Sequence, residues 1–244
     1  MTTVLLIRHG RTPANTAGIL AGRSPGVELD STGEQQVQAL GERLAAVPLR
    51  LIISSPLRRC RQTAQAVAAA RPSDAAAPVV IEQGLVECGY GEWTGRHLRD
   101  LSKEKLWSTV QTQPSAVRFP GGESMTEMFA RSVGAVRSWD QKLTTDHGDD
   151  AVWAAVSHGD VIKAILADAL GIHLDGFQRI LVDPASVSII RYTSHRPYVV
   201  TMNSATSDLA SLFRPAAKKP RSRRRNAAPD APVGGGLGAG EVVE

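Results

Sequence analysis

Short apolar runs bounded by polar residues, glycine or proline recur at Val4 to Ile7, Leu51 to Ile53, Val79 to Ile81, Ala151 to Val156 and Val187 to Tyr192. Tyr198 to Met202 follows as a possible edge partner. Their hydrophobicity is continuous rather than alternating. Strands read that way when both faces are buried, so the runs predict a mostly parallel sheet. Between them the apolar spacing changes to three and four. Ser31-Thr32-Gly33-Glu34 has the form of a capping box, and Val37, Leu40, Leu44 and Val47 carry the helix it opens to about Pro48. Ser55-Pro56 reads as a cap with proline at the first helical position, opening PLRRCRQTAQAVAAA. Met128, Val133, Val136 and Trp139 mark one side of a helix from Ser124 to about Leu143, and a further helix over Asp160 to Leu170 stops at Gly171. Strand and helix alternate, which predicts the α/β class: a three-layer α/β/α sandwich.

The pattern fades from about Ala205. The sequence predicts one folded domain over residues 1–210 and, over 211–244, a basic and then Ala/Pro/Gly-rich segment without a periodic apolar face, read as disordered. GLGAGE within it has the look of a dinucleotide-binding motif, but it follows no strand and opens no helix. The net charge of +4 sharpens the division. Six basic and three acidic residues lie beyond Arg214, so of 28 basic and 24 acidic residues the body keeps 22 and 21. The body is nearly neutral, which argues against nucleic acid as its partner and leaves weak tail contacts as the only such role.

Two cysteines, Cys60 and Cys88, without CxxC spacing, are too few for a disulfide framework and read as packing residues in a reducing compartment. No apolar run approaches the ~18 to 20 residues of a membrane span, and the N-terminus lacks a basic leader, so a cytoplasmic location is expected. Oligomeric state is not legible, and a homo-oligomer stays open.

Candidate chemistry sits where strands end. VLLI stops on Arg8-His9-Gly10, and AVWAAV stops on Ser157-His158-Gly159. Arg58-Arg59 lies in the first turn of the predicted helix after Leu51 to Ser54. In open α/β sheets such junctions converge on one edge, where ligands bind. Two histidines with one or two arginines suit a phosphoryl group: guanidinium forks match its oxygens, and a neutral imidazole can attack phosphorus. His97, His147, His173 and His195 fall in separate segments without ligand spacing, so no metal or cofactor is expected.

These segments, in this order, resemble the histidine phosphatase superfamily, also called the phosphoglycerate mutase-like family. RHGRTPAN is similar to its opening signature, SSPLRRCRQTA to its arginine segment, ECGYGEWTG to its acid-bearing segment, and PGGES and SHGDVIKAIL to its later ones; together they span residues 3 to about 192. The resemblance implies His9 as a nucleophile forming a transient phosphohistidine. It implies Arg8 and Arg59 on the phosphoryl oxygens, His158 as a further donor, Asn15 as an additional hydrogen bond, and Glu87 as general acid and then base. Asp30, Glu92 and Glu123 compete for the acid role, and helix geometry lets only one of Arg58 and Arg59 point inward.

The implied activity is a metal-independent phosphomonoester hydrolase on a small phosphorylated metabolite. The unperturbed order of the histidine and carboxyl pKa values favours acidic pH, as in an acid phosphatase. Only 33 residues separate Glu87 from Gly121, without an Arg-Arg pair, and Arg11 stands where mutases of the family carry an acid or glutamine. Both departures favour a hydrolase over a phosphomutase, although Tyr90 keeps a position that contacts substrate in mutases. A non-hydrolytic phospho-ligand binder or scaffold is the alternative of another class.

Overall fold

The computed structural model describes residues 2–205 of the 244, so the segment 211–244 and the domain end at 210 lie outside the described residues. Within them six strands form one sheet: β1 (Thr3–Arg8), β2 (Leu49–Ser54), β3 (Val79–Ile81), β4 (Val152–Ser157), β5 (Val187–Arg191) and β6 (Tyr198–Ser204). Their order is β3-β2-β4-β1-β5-β6, parallel except that β5 runs against both of its neighbours. β1 and β4 are buried from their second residue onward, which is why their sequences are continuously apolar. β6 alternates between exposed and partly buried positions, as an edge strand with one open face does.

Among the described residues seven α-helices accompany the sheet: α1 (Pro13–Thr16), α2 (Ser31–Leu44), α3 (Arg58–Ala69), α4 (Leu98–Leu101), α5 (Lys105–Thr112), α6 (Met125–His147) and α7 (Gly159–Leu170). The sheet divides two cores. Leu5, Ile7 and Ile52 face Leu40 of α2 and Val67 of α3, while Val4, Leu6 and Trp153 face Met128 and Val136 of α6 and Ile165 of α7. The predicted three-layer sandwich is the fold.

Two helix starts differ from expectation. Asp30, not Ser31, caps α2, accepting from Gly33 N at 2.7 Å, because a carboxylate there also takes Arg11 Nε at 2.8 Å. α3 begins at Arg58 with Leu57 in the cap position, two residues beyond the predicted start at Pro56, because the Ser55 hydroxyl is engaged by a ring at the end of β4. α6 opens on a capping box between Ser124 and Glu127, and α7 ends at Gly171 in the left-handed region with φ 66°. Neither α4, α5 nor the short α1 was signalled by periodicity.

Candidate active site

The C-terminal ends of β2, β4 and β1 lie side by side, with Arg8 paired to Ser157 and Ser54 to Val156. The next residue of each strand therefore shares one sheet edge: Ser55, His158 and His9. The two imidazoles meet edge to face with centroids 5.2 Å apart. Gly10 follows His9 because the start of α2 presses on this loop. A Cβ at Gly10 would stand 2.7 Å from the Gly33 carbonyl oxygen, and one at Gly33 would stand 2.0 Å from the Arg11 carbonyl oxygen.

His9 Nδ1 lies 2.8 Å from the Gly10 carbonyl oxygen, which can only accept, so Nδ1 carries the proton and Nε2 keeps its lone pair. Arg59 Nε points at that lone pair from 3.2 Å. Arg59 is held by two further bonds from Nη2, to the Gly22 carbonyl at 2.8 Å and to His158 Nδ1 at 3.2 Å. Because a guanidinium only donates, His158 Nδ1 accepts, and Nε2–H is left to donate to Ser55 Oγ at 2.8 Å. Both imidazoles are held well below their usual pKa, first by burial and then by Arg59.

Glu87 enters from the loop after β3. Its Oε1 accepts from Cys88 N at 2.9 Å and its Oε2 lies 3.8 Å from His158 Nδ1. Burial, with the Asp160 carboxylate adding to it, pushes the Glu87 carboxyl up to about 7 against the opposing pull of Arg59, the Cys88 N–H and Arg8. Asp160 is wholly buried beneath the site, accepts from Tyr90 Oη at 2.7 Å and lies 3.8 Å from Lys163 Nζ, which donates to Gln178.

The Glu87 main chain is clamped. Arg23 Nε and Arg131 Nη2 donate to its carbonyl at 2.8 and 3.1 Å, and both arginines are held by Glu123, which also accepts from Gly89 N.

A small cleft opens over these groups, and His9, Arg59, Glu87, Thr12, Asn15 and Tyr90 are among its walls. Of the four carboxylates weighed for the acid role, Glu87 alone lines it. Asp30 caps α2, Glu92 is exposed and Glu123 belongs to the clamp. Arg59 is buried at the site, whereas the side chain of Arg58 is 61% exposed and pairs with Glu28. Asn15 spends Oδ1 on the Thr12 N–H and hydroxyl. Arg8 is fully buried, donates from Nη1 to the Val182 carbonyl and stands behind the cleft rather than in its lining. His158 lies beneath Arg59 with its accepting nitrogen inward, so it can donate there only after Nδ1 gains a proton.

Sequence reasoning missed Ser55, read as a helix cap, and the Tyr90–Asp160–Lys163 cluster. The available signal was an Asp and a Lys one turn apart among the apolar residues of α7, Asp160 and Lys163. Cys60 Sγ lies 3.4 Å from His158 Nε2, and burial pushes its thiol up to about 12, so it packs against the ring as a neutral group. Among the described residues no three His, Cys, Asp or Glu side chains gather as a metal-holding group, and no helix is long and apolar enough to cross a membrane.

The family model of the histidine phosphatase superfamily (branch 1) matches residues 4–205. The chain belongs to that superfamily. Phosphoserine phosphatase 1 of Hydrogenobacter thermophilus is 28% identical over 206 residues, which is 83% of this chain and 92% of the relative. A Salmonella choleraesuis protein named "Probable phosphoglycerate mutase GpmB" is 32% identical over 196 residues, covering 79% and 86%. The solved structure of Bacillus stearothermophilus YhfR superposes with a TM-score of 0.74 at 26% identity, covering 84% of this chain and 98% of that one. This member of the superfamily thus shares its fold across nearly the whole of that neighbour.

Proposed function

We propose that this histidine-phosphatase hydrolase cleaves phosphomonoesters of small metabolites through a phosphohistidine at His9 Nε2. The observation that carries the reading is the bond from His9 Nδ1 to the Gly10 carbonyl, which leaves Nε2 unprotonated and directed at Arg59. In the first step Nε2 bonds to phosphorus as the ester P–O bond breaks, and protonated Glu87 passes its proton to the departing oxygen. Arg59 holds the phosphoryl oxygens directly and Arg8 adds charge from behind; Asn15 has its amide nitrogen left to contribute a hydrogen bond. With the dianion bound, His158 takes a proton from solvent at Nδ1, which makes it a donor to the transferring group, and gives that proton back to solvent when phosphate leaves. In the second step Glu87, now a carboxylate, takes a proton from water as the water oxygen bonds to phosphorus and the P–N bond breaks. Alcohol and inorganic phosphate leave, and both His9 and Glu87 are restored.

The lowered His9 and raised Glu87 values support activity that extends from acidic pH to about 7, since neutral imidazole and protonated carboxyl coexist there. The similarity to a protein named "Probable phosphoglycerate mutase GpmB" keeps transfer back to a second hydroxyl as the other reading. Incubation with p-nitrophenyl phosphate in EDTA tests the proposal. Wild type should release phosphate and p-nitrophenol in equal amounts, and His9→Ala should release neither. Retained turnover in His9→Ala, or dependence on added divalent metal, sinks it.

A further inference from the structure

Part of the cleft wall is built from two main-chain-bonded segments. Residues 18–22 and 95–98 are joined by Leu20 N to Arg96 O at 3.0 Å, Gly95 N to Leu20 O at 2.8 Å and Leu98 N to Gly18 O at 2.8 Å. They hold Ile19, Leu20, Ala21 and Leu98 against the cleft, and Ala14 of α1 joins them. Among the described residues, apart from His9, Arg59 and Glu87, no side chain lining the cleft is ionic: Thr12 and Asn15 are neutral and bonded to each other, and the Tyr90 hydroxyl is directed at Asp160.

Four arginines close in the chain to cleft-lining residues each face an acid. Arg23 pairs with Glu123 at 2.9 Å, Arg96 with Glu104 at 2.6 Å and Arg58 with Glu28 at 3.2 Å, while Arg11 pairs with Asp30 at the mouth of α2. Arg99 stands 4.0 Å from Asp100, and the His97 ring meets the Ala17 carbonyl.

From this wall we infer that the enzyme selects phosphomonoesters of uncharged, partly apolar alcohols and discriminates against leaving groups that carry a carboxylate. The inference rests on the hydrolase reading and narrows its substrate class. A carboxylate seated against Leu20, Ala21 and Leu98 would give up hydration without meeting a cation, and the Glu87 carboxylate would repel it once ionised. A branched alkyl group in the same place gains burial against the same side chains.

Two inert phosphonates of matched shape isolate the effect: 3-methylbutylphosphonate ends in an isopropyl group where 3-phosphonopropionate ends in a carboxylate. Calorimetry on the full chain at pH 7 should give wild type about tenfold or more tighter binding of the methyl compound, the direction set by desolvation of an unpaired charge. Leu98→Arg, at a partly buried wall position without catalytic contact, should narrow or invert that ratio by strengthening binding of 3-phosphonopropionate. Equal or tighter binding of 3-phosphonopropionate by wild type overturns the inference, as does an unchanged ratio in Leu98→Arg with an unaltered melting temperature. Hydrolysis is not needed for either measurement, so failure of wild type to release phosphate from p-nitrophenyl phosphate would remove the hydrolase reading without altering what the binding ratio says of the wall.

Discussion

Glu87 shows how far one side chain depends on its surroundings. In water a glutamate would be ionised at neutral pH and useless as a proton donor. Here burial and the Asp160 carboxylate behind Tyr90 raise it to about 7, while Arg59, Arg8 and the Cys88 N–H limit the rise. The sign follows directly: the proton is present below about 7 and lost above it, so phosphoenzyme formation from an alkyl phosphate should decline as pH rises through 7. Glu87→Gln should abolish that decline and slow the step by roughly 10²-fold or more with an alkyl phosphate, in line with general acid catalysis. With p-nitrophenyl phosphate, whose phenolate leaves unaided, the loss should be much smaller. Single-turnover quench-flow separates this step from the later attack by water. Equal losses for both leaving groups would take the acid role from Glu87.

At the scale of elements, the site exists because β1, β4 and β2 end in register and because α2 seats against the loop after β1. Gly33 is the contact point. Replacing it by alanine puts a Cβ within 2.0 Å of the Arg11 carbonyl oxygen, a backbone atom that cannot swing aside. Gly33→Ala should therefore lower the melting temperature and reduce kcat together, because the displaced loop carries His9. Asp30→Ala, which removes the cap but not the space, should cost only about 1 kcal/mol and leave kcat nearly unchanged. Chemical denaturation and steady-state rates on the two variants decide it; a fully active, equally stable Gly33→Ala would contradict the packing account.

The strands and long helices were legible because burial on two faces leaves continuous apolar runs and burial on one leaves a period near 3.6. The cap segments were not. Ser55 looked like the start of α3, yet its hydroxyl meets the His158 imidazole 103 residues away, just past β4, a pairing no local pattern records.

For the molecule as a whole, motif order placed His9, Arg59, His158 and Glu87 at one sheet edge because parallel strands with crossover helices return every junction to the same side. What sequence could not supply was the orientation of rings and the depth of charges. Arg8 stands behind the cleft rather than in its wall, and His158 turns its accepting nitrogen toward Arg59; both depend on which carbonyl, hydroxyl or guanidinium lies nearest after folding. The clamp of Arg23, Glu123 and Arg131 on the Glu87 carbonyl likewise joins three distant segments. The claim on which all of this converges is covalent transfer to His9. Its most direct measurement is acid-free quenching of wild type and His9→Ala with p-nitrophenyl phosphate labelled in phosphorus, followed by alkali and acid treatment of the isolated protein. Wild type should carry label that survives alkali and is lost in acid, mapped to His9, and His9→Ala should carry none; label of equal amount in both proteins, or turnover by wild type without any protein-bound phosphate under rapid quench, would contradict it.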